Sequence, residues 1–172
     1  ELGDDFKDCE WIDIGCGPGT FLFAIKDYYA GACKSSLWGI QRSPLMRKQA
    51  KQIQEGLYPH SSIEIVQSVS EIPKQNEGKK RILLFSHSLN EMGNDKAMEY
   101  IKKLSPDKIL FVEPGTKEFF KQYLLLRKKL IQQDFNCLYP CPSNQNCPMS
   151  EKDDWCHQYI KVKHDLEIER LT

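Results

Sequence analysis

The sequence predicts an α/β fold with a doubly wound, mostly parallel sheet. Short apolar runs, typical of buried strands, alternate along the chain with longer runs that have helical periodicity. Residues that favour turns and helix caps separate these runs, among them a glycine-rich turn directly after the first strand. Strands that alternate with helices in this way are typical of a parallel sheet covered by helices.

Five strands and four helices are predicted between residues 11 and 133. The predicted strands are Trp11–Ile14, Leu37–Ile40, Ile63–Val66, Arg81–Phe85 and Lys108–Val112. The predicted helices are Thr20–Tyr29, Pro44–Glu55, Asn94–Leu104 and Thr116–Gln133. The first helix has its apolar residues on one face, Ser43 and Thr116 supply caps for the second and fourth, and Ser105-Pro106 ends the third.

The composition favours one domain and excludes a membrane span. Of the 172 residues, 40% are hydrophobic, which suffices for a core, and no apolar run approaches the ~20 residues that a membrane helix needs. The formal net charge is zero, so no overall field attracts nucleic acid. An RNA contact therefore needs a local patch such as Lys79-Lys80-Arg81 or Arg127-Lys128-Lys129, and we expect a monomer.

The sequence divides into three parts. Residues 1–135 form the α/β core, residues 136–157 form a loop with four cysteines and little periodicity, and residues 158–172 form an edge of the core that the sequence leaves incomplete. Near the end, His157–Val162 is a candidate strand and Asp165–Thr172 a candidate helix start.

The turn after the first strand has the chemistry of a ligand-binding loop. In Asp13-Ile14-Gly15-Cys16-Gly17-Pro18-Gly19, the glycines allow a tight turn and the close approach of a ligand, and the next helix presents unpaired N–H groups. Asp13 stands at the carboxyl end of the strand, where open α/β sheets bind ligands. A plain tight turn is the alternative, but strand, turn and helix together favour a nucleotide-type ligand.

Polar residues also follow the second, fourth and fifth strands. Gln41 and Arg42 follow the second strand, Ser86 and His87 the fourth, and Glu113 the fifth. Histidine is the usual general base near neutral pH, and Glu113 stands at a strand end beside the same crevice, so both are candidate catalytic residues. The alternatives are structural, with His87 capping the next segment and Glu113 belonging to a Pro-Gly turn.

The loop near the end of the chain contains the cysteines Cys137, Cys141, Cys147 and Cys156. The whole chain has seven cysteines, an odd number, and no visible secretory signal, which disfavours a disulfide framework. Clustered thiolates in a reducing compartment indicate a metal or iron–sulfur site. Zinc held by Cys141, Cys147, Cys156 and His157 is one alternative, and free thiols are another.

These motifs resemble known families. The DxGxGxG form of the first turn is similar to the first motif of class I S-adenosylmethionine-dependent methyltransferases, which have a Rossmann-like fold. Together with Ser86–Met92, Val112–Thr116 and Cys141–His157, it resembles the methyltransferase-like family associated with the small ribosomal subunit in mitochondria and in some bacteria.

This resemblance implies S-adenosylmethionine as a cofactor, and the small ribosomal subunit with its rRNA as a partner. The residues implied in cofactor binding are Asp13, Gly15, Cys16, Gly17, Pro18, Gly19, Gln41, Arg42 and Ser86. Gln41 stands where those methyltransferases usually carry Asp or Glu for the ribose hydroxyls. The resemblance also implies a 4Fe-4S cluster on Cys141, Cys147 and Cys156, with Cys137 as the in-chain candidate for the fourth ligand.

Two functions are compatible with these features. One is an rRNA methyltransferase that places Ser86, His87 or Glu113 near the acceptor. The other is a non-catalytic ribosome assembly factor that binds the cofactor and docks through an iron–sulfur or zinc loop. The intact glycine turn favours the enzyme, whereas Gln41 favours the assembly factor. The expected compartment is the cytoplasm for a bacterial protein, with the mitochondrial matrix as the alternative.

Overall fold

A computed structural model of the protein describes residues 6, 8–29 and 36–156. The chain divides into two compact units, Glu1–Pro114 and Gly115–Thr172. The first unit contains the sheet, and the second contains the last helix and the cysteine-rich loop. The candidate strand His157–Val162 and the candidate helix start Asp165–Thr172 lie outside the described residues, and the predicted boundaries after residues 135 and 157 stay predictions.

One parallel sheet organises the first unit. Its strands among the described residues are β1 Cys9–Ile14, β2 Ser36–Ile40, β3 Ile63–Val66, β4 Lys80–Ser86 and β5 Lys108–Val112. They lie in the order β3-β2-β1-β4-β5, and every neighbouring pair is parallel. The strand order reverses between β1 and β4, where open α/β sheets form a ligand crevice at their carboxyl ends. The predicted α/β fold with a parallel sheet is therefore confirmed.

The helices also agree with the sequence prediction, with two additions. They are α1 Thr20–Tyr28, α2 Pro44–Leu57, α3 Leu89–Met92, α4 Asn94–Leu104 and α5 Lys117–Ile131, and a short 3-10 helix spans Val69–Glu71. The Ser43 hydroxyl accepts the Met46 N–H at 3.4 Å, and the Thr116 hydroxyl accepts the Phe119 N–H at 3.2 Å, so both predicted caps are confirmed. No helix in the described part of the chain combines the length and apolarity required to span a membrane.

The central strands form the core of the first unit. All of β1 is buried, and β4 is buried from Arg81 to Phe85. A strand that is covered on both faces has apolar residues at successive positions. This explains why polar and apolar residues do not alternate along β4. The carboxyl ends of β1 and β4 therefore lie side by side at one end of this buried core.

A buried ion pair joins β1 and β4 near their amino ends. The Arg81 guanidinium donates to Glu10 Oε2 through Nε at 2.9 Å, and to the carbonyls of Pro73 at 2.9 Å and Leu104 at 3.2 Å. The other Glu10 oxygen accepts the Asn76 N–H at 3.1 Å. Every polar atom of the pair therefore has a protein partner, which a buried charge requires.

Contacts within the protein reduce the positive charge that the two predicted basic patches can present to RNA. Arg81 is 4% exposed and faces Glu10, and Lys79 pairs with Asp8 at 2.9 Å. In the second unit, Arg127 donates to the carbonyls of Ser143 and Gln145. Each predicted basic run thus commits its arginine to internal contacts.

Candidate functional site

The carboxyl ends of the strands bring together the polar residues of the first unit that the sequence singled out. Ile14, the last residue of β1, lies beside Ile40 of β2 and Phe85 of β4. Ser86 at the end of β4 lies beside Val112 at the end of β5. The segments that follow these four strands therefore begin along one edge of the sheet.

The glycine turn has the backbone that its sequence predicts. Gly15, Gly17 and Gly19 have φ angles of 75°, 55° and 86°, a region that side chains disfavour. The turn is fixed by the Gly15 N–H bonded to the Ile40 carbonyl and the Gly19 N–H bonded to the Cys16 carbonyl, both at 2.8 Å. A Cβ built on Gly17 would meet no described atom within 4 Å, and no side chain caps the start of α1. The turn thus presents bare backbone to an open side.

Cys16 anchors this turn to β2 by its side chain. Its thiol is buried, and burial raises its pKa to about 12, so it stays protonated and unreactive at neutral pH. A Cβ built on Gly39 would lie only 2.5 Å from the Cys16 Sγ. Gly39 therefore belongs to the site, although it is not among the site residues predicted from the sequence. A glycine inside a strand was the available signal.

Asp13 is buried at the carboxyl end of β1. The residue is 1% exposed, and its Oδ1 has no hydrogen-bond partner among the described residues. Burial raises the pKa of this carboxyl to about 7. An unpaired buried oxygen is costly, so a donor from a bound ligand would find a strong acceptor here.

The pKa of Asp13 predicts a stability that falls as pH rises. The carboxyl binds its proton more tightly in the folded state, where its pKa is about 7, than in an unfolded chain, where it is about 3.9. The free energy of unfolding therefore falls as the pH rises from 4 to 7. The full effect is at most roughly 4 kcal/mol. Urea denaturation at pH 5 and pH 8 should show the part of this loss that falls above pH 5, at most roughly 2–3 kcal/mol, in the wild type and a smaller loss in Asp13→Asn. The exposed carboxyl variant Glu64→Gln is the control, and equal pH dependence in Asp13→Asn and the wild type would contradict the prediction.

Gln41 directly follows β2, and its side chain contacts the start of α2. Its N–H donates to the Val66 carbonyl at 2.9 Å, and its side-chain Oε1 accepts the Ser43 N–H at 3.0 Å. Arg47 donates to the Gln41 carbonyl at 2.7 Å and to the Arg42 carbonyl at 2.8 Å. The side-chain NH₂ group of Gln41 is therefore the part best placed to meet a ligand, and Arg42 beside it is exposed.

His87 and Glu113 lie on adjacent segments at the other side of the crevice. His87 is exposed, has a φ angle of 53°, and donates its backbone N–H to the Val112 carbonyl at 2.9 Å. Glu113 Oε1 accepts the N–H groups of Ser88 at 2.9 Å and Leu89 at 2.7 Å. Ser88 and Leu89 belong to the motif Ser86–Met92, but their contact with Glu113 was not predicted, because it spans some 25 residues and follows from the pairing of β4 with β5.

The cysteine-rich loop has its own contacts within the second unit. Asn144 accepts the Cys137 N–H at 3.0 Å, and Lys117 pairs with Asp153 at 2.6 Å. Cys141 and Cys156 are exposed. Across the described residues, no group of three or more His, Cys, Asp or Glu side chains is arranged to hold a metal ion. The expected convergence of Cys137, Cys141, Cys147 and Cys156 is therefore not seen there, and His157 lies outside the described part.

A family model and two curated proteins match the sequence. The family model, described as "Mitochondrial small ribosomal subunit Rsm22", matches residues 2–172. Two proteins of Schizosaccharomyces pombe, the mitochondrial Rsm22-cox11 tandem proteins 1 and 2, are each 25% identical over 154 residues. The match covers 79% of this chain and 20% of each relative, so the chain spans about a fifth of their length.

Solved structures are also similar to this chain. The StiE O-MT structure, residues 942–1257, has a TM-score of 0.52 and 16% identity, and the match covers 74% of this chain and 46% of that one. PKMT2 from Rickettsia typhi, solved in complex with AdoHcy, has a TM-score of 0.49 and 20% identity over 78% of this chain and 26% of that one. At such identity, the first of these likenesses shows a shared fold alone.

Proposed function

The chain belongs to the Rsm22 family, and from this premise we propose that it is an S-adenosylmethionine-dependent methyltransferase-like protein that acts on the small ribosomal subunit or its rRNA. Because the chain spans about a fifth of its curated relatives, the activity and partners of the whole protein form part of this proposal.

The open glycine turn at the switch point of the sheet is the observation that carries the proposal. Bare backbone at Gly17 and an unpaired buried oxygen at Asp13 fit a ligand with a compact polar end, and the amino-acid end of S-adenosylmethionine is such a group. The residues proposed to hold the cofactor are Asp13, Gly15, Cys16, Gly17, Pro18, Gly19, Gln41, Arg42 and Ser86. When bound, this cofactor supplies an electrophilic methyl group on a sulfonium.

Catalysis in this proposal is mostly positioning. The turn and the ends of β2 and β4 orient the donor, and an acceptor held in line needs little more than proximity. His87 is exposed at the rim, where its imidazole can take a proton from an acceptor atom. Glu113 was the second catalytic candidate from the sequence, and its carboxylate is engaged by two backbone N–H groups.

A non-catalytic assembly factor is the alternative, and Gln41 favours it. The side-chain oxygen of Gln41 already accepts the Ser43 N–H, and Gln41 offers no negative charge to ribose hydroxyls. Transfer of a labelled methyl group from S-adenosylmethionine to isolated small subunits separates the two functions. Binding of the cofactor without transfer would support the assembly factor.

Partner choice gives a direct test of the ribosomal part of the proposal. The net charge is zero, and Arg81 and Arg127 are committed to internal contacts, so naked RNA should bind weakly. We expect an affinity for assembling small subunits at least about tenfold higher than for unrelated RNA of equal length, measured by sedimentation at 150 mM salt. Equal affinities would contradict a subunit-specific role.

The compartment, the oligomeric state and the role of the cysteine-rich loop are further parts of this proposal. The names of the family and of the fission-yeast relatives favour the mitochondrial alternative over the bacterial cytoplasm. A monomer stays a prediction. The 4Fe-4S cluster or zinc is suggested by the family resemblance alone, and the thiols as arranged in the described residues do not fit either group, so no step of the proposed function uses them.

A further inference from the structure

The carboxylate of Glu113 ties the end of β5 to the segment that follows β4. Its Oε1 accepts two successive N–H groups, from Ser88 at 2.9 Å and from Leu89 at 2.7 Å. Ser88 is the N-cap residue of α3 and Leu89 is the first residue of that helix, and the side chain of Ser88 makes no capping hydrogen bond. Glu113, which directly follows β5, therefore supplies the cap that the Ser88 side chain does not provide.

The tied segment lies directly against the glycine turn. A Cβ built on Gly15 would lie 2.8 Å from the Ser88 Cβ and 3.6 Å from its Oγ, so Ser88 packs on the bare backbone of Gly15. The preceding residue, His87, has a left-handed φ angle of 53°, a conformation that persists only where neighbouring contacts hold it. The position of Ser88 against Gly15 thus depends on contacts to the end of β5.

The orientation of the Glu113 carboxylate favours a supporting role over that of a general base. Oε1 is engaged by two N–H donors, and Oε2 is shielded from solvent and has no hydrogen-bond partner among the described residues. A general base has to reach the proton that it removes, directly or through one water. A carboxylate that is turned into the protein fits a supporting role better than a chemical one.

We propose that Glu113 is a positioning residue, which holds Ser88 and Leu89 so that Ser88 supports the glycine turn in its cofactor-binding form. This inference rests on the proposed function for the identity of the ligand. It replaces the role of Glu113 as a catalytic residue and leaves His87 as the candidate base. What matters at position 113 is then an oxygen at the correct reach, and the negative charge is secondary.

Two variants separate reach from charge. Glu113→Gln loses the charge but keeps an oxygen at the same distance that can accept both N–H groups. Glu113→Asp keeps the charge but withdraws the oxygens by one methylene. We expect Glu113→Gln to bind S-adenosylmethionine within about threefold of the wild type and Glu113→Asp to bind at least about tenfold more weakly, by calorimetry. Glu91 is an exposed glutamate in α3, and the control variant Glu91→Gln should bind S-adenosylmethionine with the affinity of the wild type.

Hydrogen exchange of the ligand-free protein provides the second readout. The Ser88 and Leu89 amides should exchange at least about tenfold faster in Glu113→Asp than in Glu113→Gln. Weaker cofactor binding by Glu113→Gln than by Glu113→Asp would overturn the inference, because charge and not reach would then matter. Equal exchange in the two variants would overturn it as well. A wild type that binds no S-adenosylmethionine would contradict the proposed function itself and remove the ligand on which the inference rests.

Discussion

A Gly17→Val variant is expected to lose S-adenosylmethionine binding while it stays folded. A Cβ at this position would meet no described protein atom within 4 Å, so the branched side chain enters the open side of the turn, where the ligand is proposed to lie. The affinity should fall by at least about a hundredfold, or ~2.7 kcal/mol, in calorimetry. The φ angle of 55° adds backbone strain of roughly 1–3 kcal/mol, which a matched control has to reproduce.

Gly78→Val provides that control. Gly78 also has a positive φ angle, 81°, and open space around its Cβ position, but it lies in the connector between β3 and β4. Both variants should lose similar stability, and only Gly17→Val should lose the ligand. Unchanged affinity in Gly17→Val would remove the glycine turn from the site. Equal losses of affinity in both variants would attribute the effect to strain.

An Arg81→Met variant is expected to show the largest loss of stability. It leaves the Glu10 carboxylate, 1% exposed, without its cationic partner and removes two bonds to backbone carbonyls. Breaking a buried pair from one side typically costs about 3–5 kcal/mol, which is a large part of the stability of a small domain. The free energy of unfolding from urea titration measures this cost.

The double variant Glu10→Leu/Arg81→Met tests the cause of that loss. Because it removes both charges and leaves none uncompensated, we expect it to be more stable than Arg81→Met alone. Glu99→Ala, which breaks an exposed pair of contacts with Lys96 and Lys103, should change stability little. A double variant less stable than Arg81→Met would contradict this, because the bond from the Asn76 N–H to Glu10 would then outweigh the cost of the unpaired charge.

The regular elements of the first unit could be predicted because their signals are local. The bounds of β3, α4 and β5 agree with those read from the sequence, since apolar period, caps and breaking residues all lie within each segment. The helix α3 and the 3-10 helix were missed, because a single turn has no period to detect. The cap of α3 comes from Glu113, which is distant in sequence.

The sequence by itself determined the parallel α/β fold, the family and the glycine turn, because strand, turn and helix are adjacent and each residue constrains its neighbours. Only the tertiary structure decided which side chains and backbone groups contact one another within the protein. Arg81 faces Glu10, Gln41 turns to Ser43, Gly39 receives the thiol of Cys16, and Glu113 holds the start of α3. These contacts are set by strand order and burial, because most buried donors and acceptors are paired and strand order decides which groups lie beside each of them.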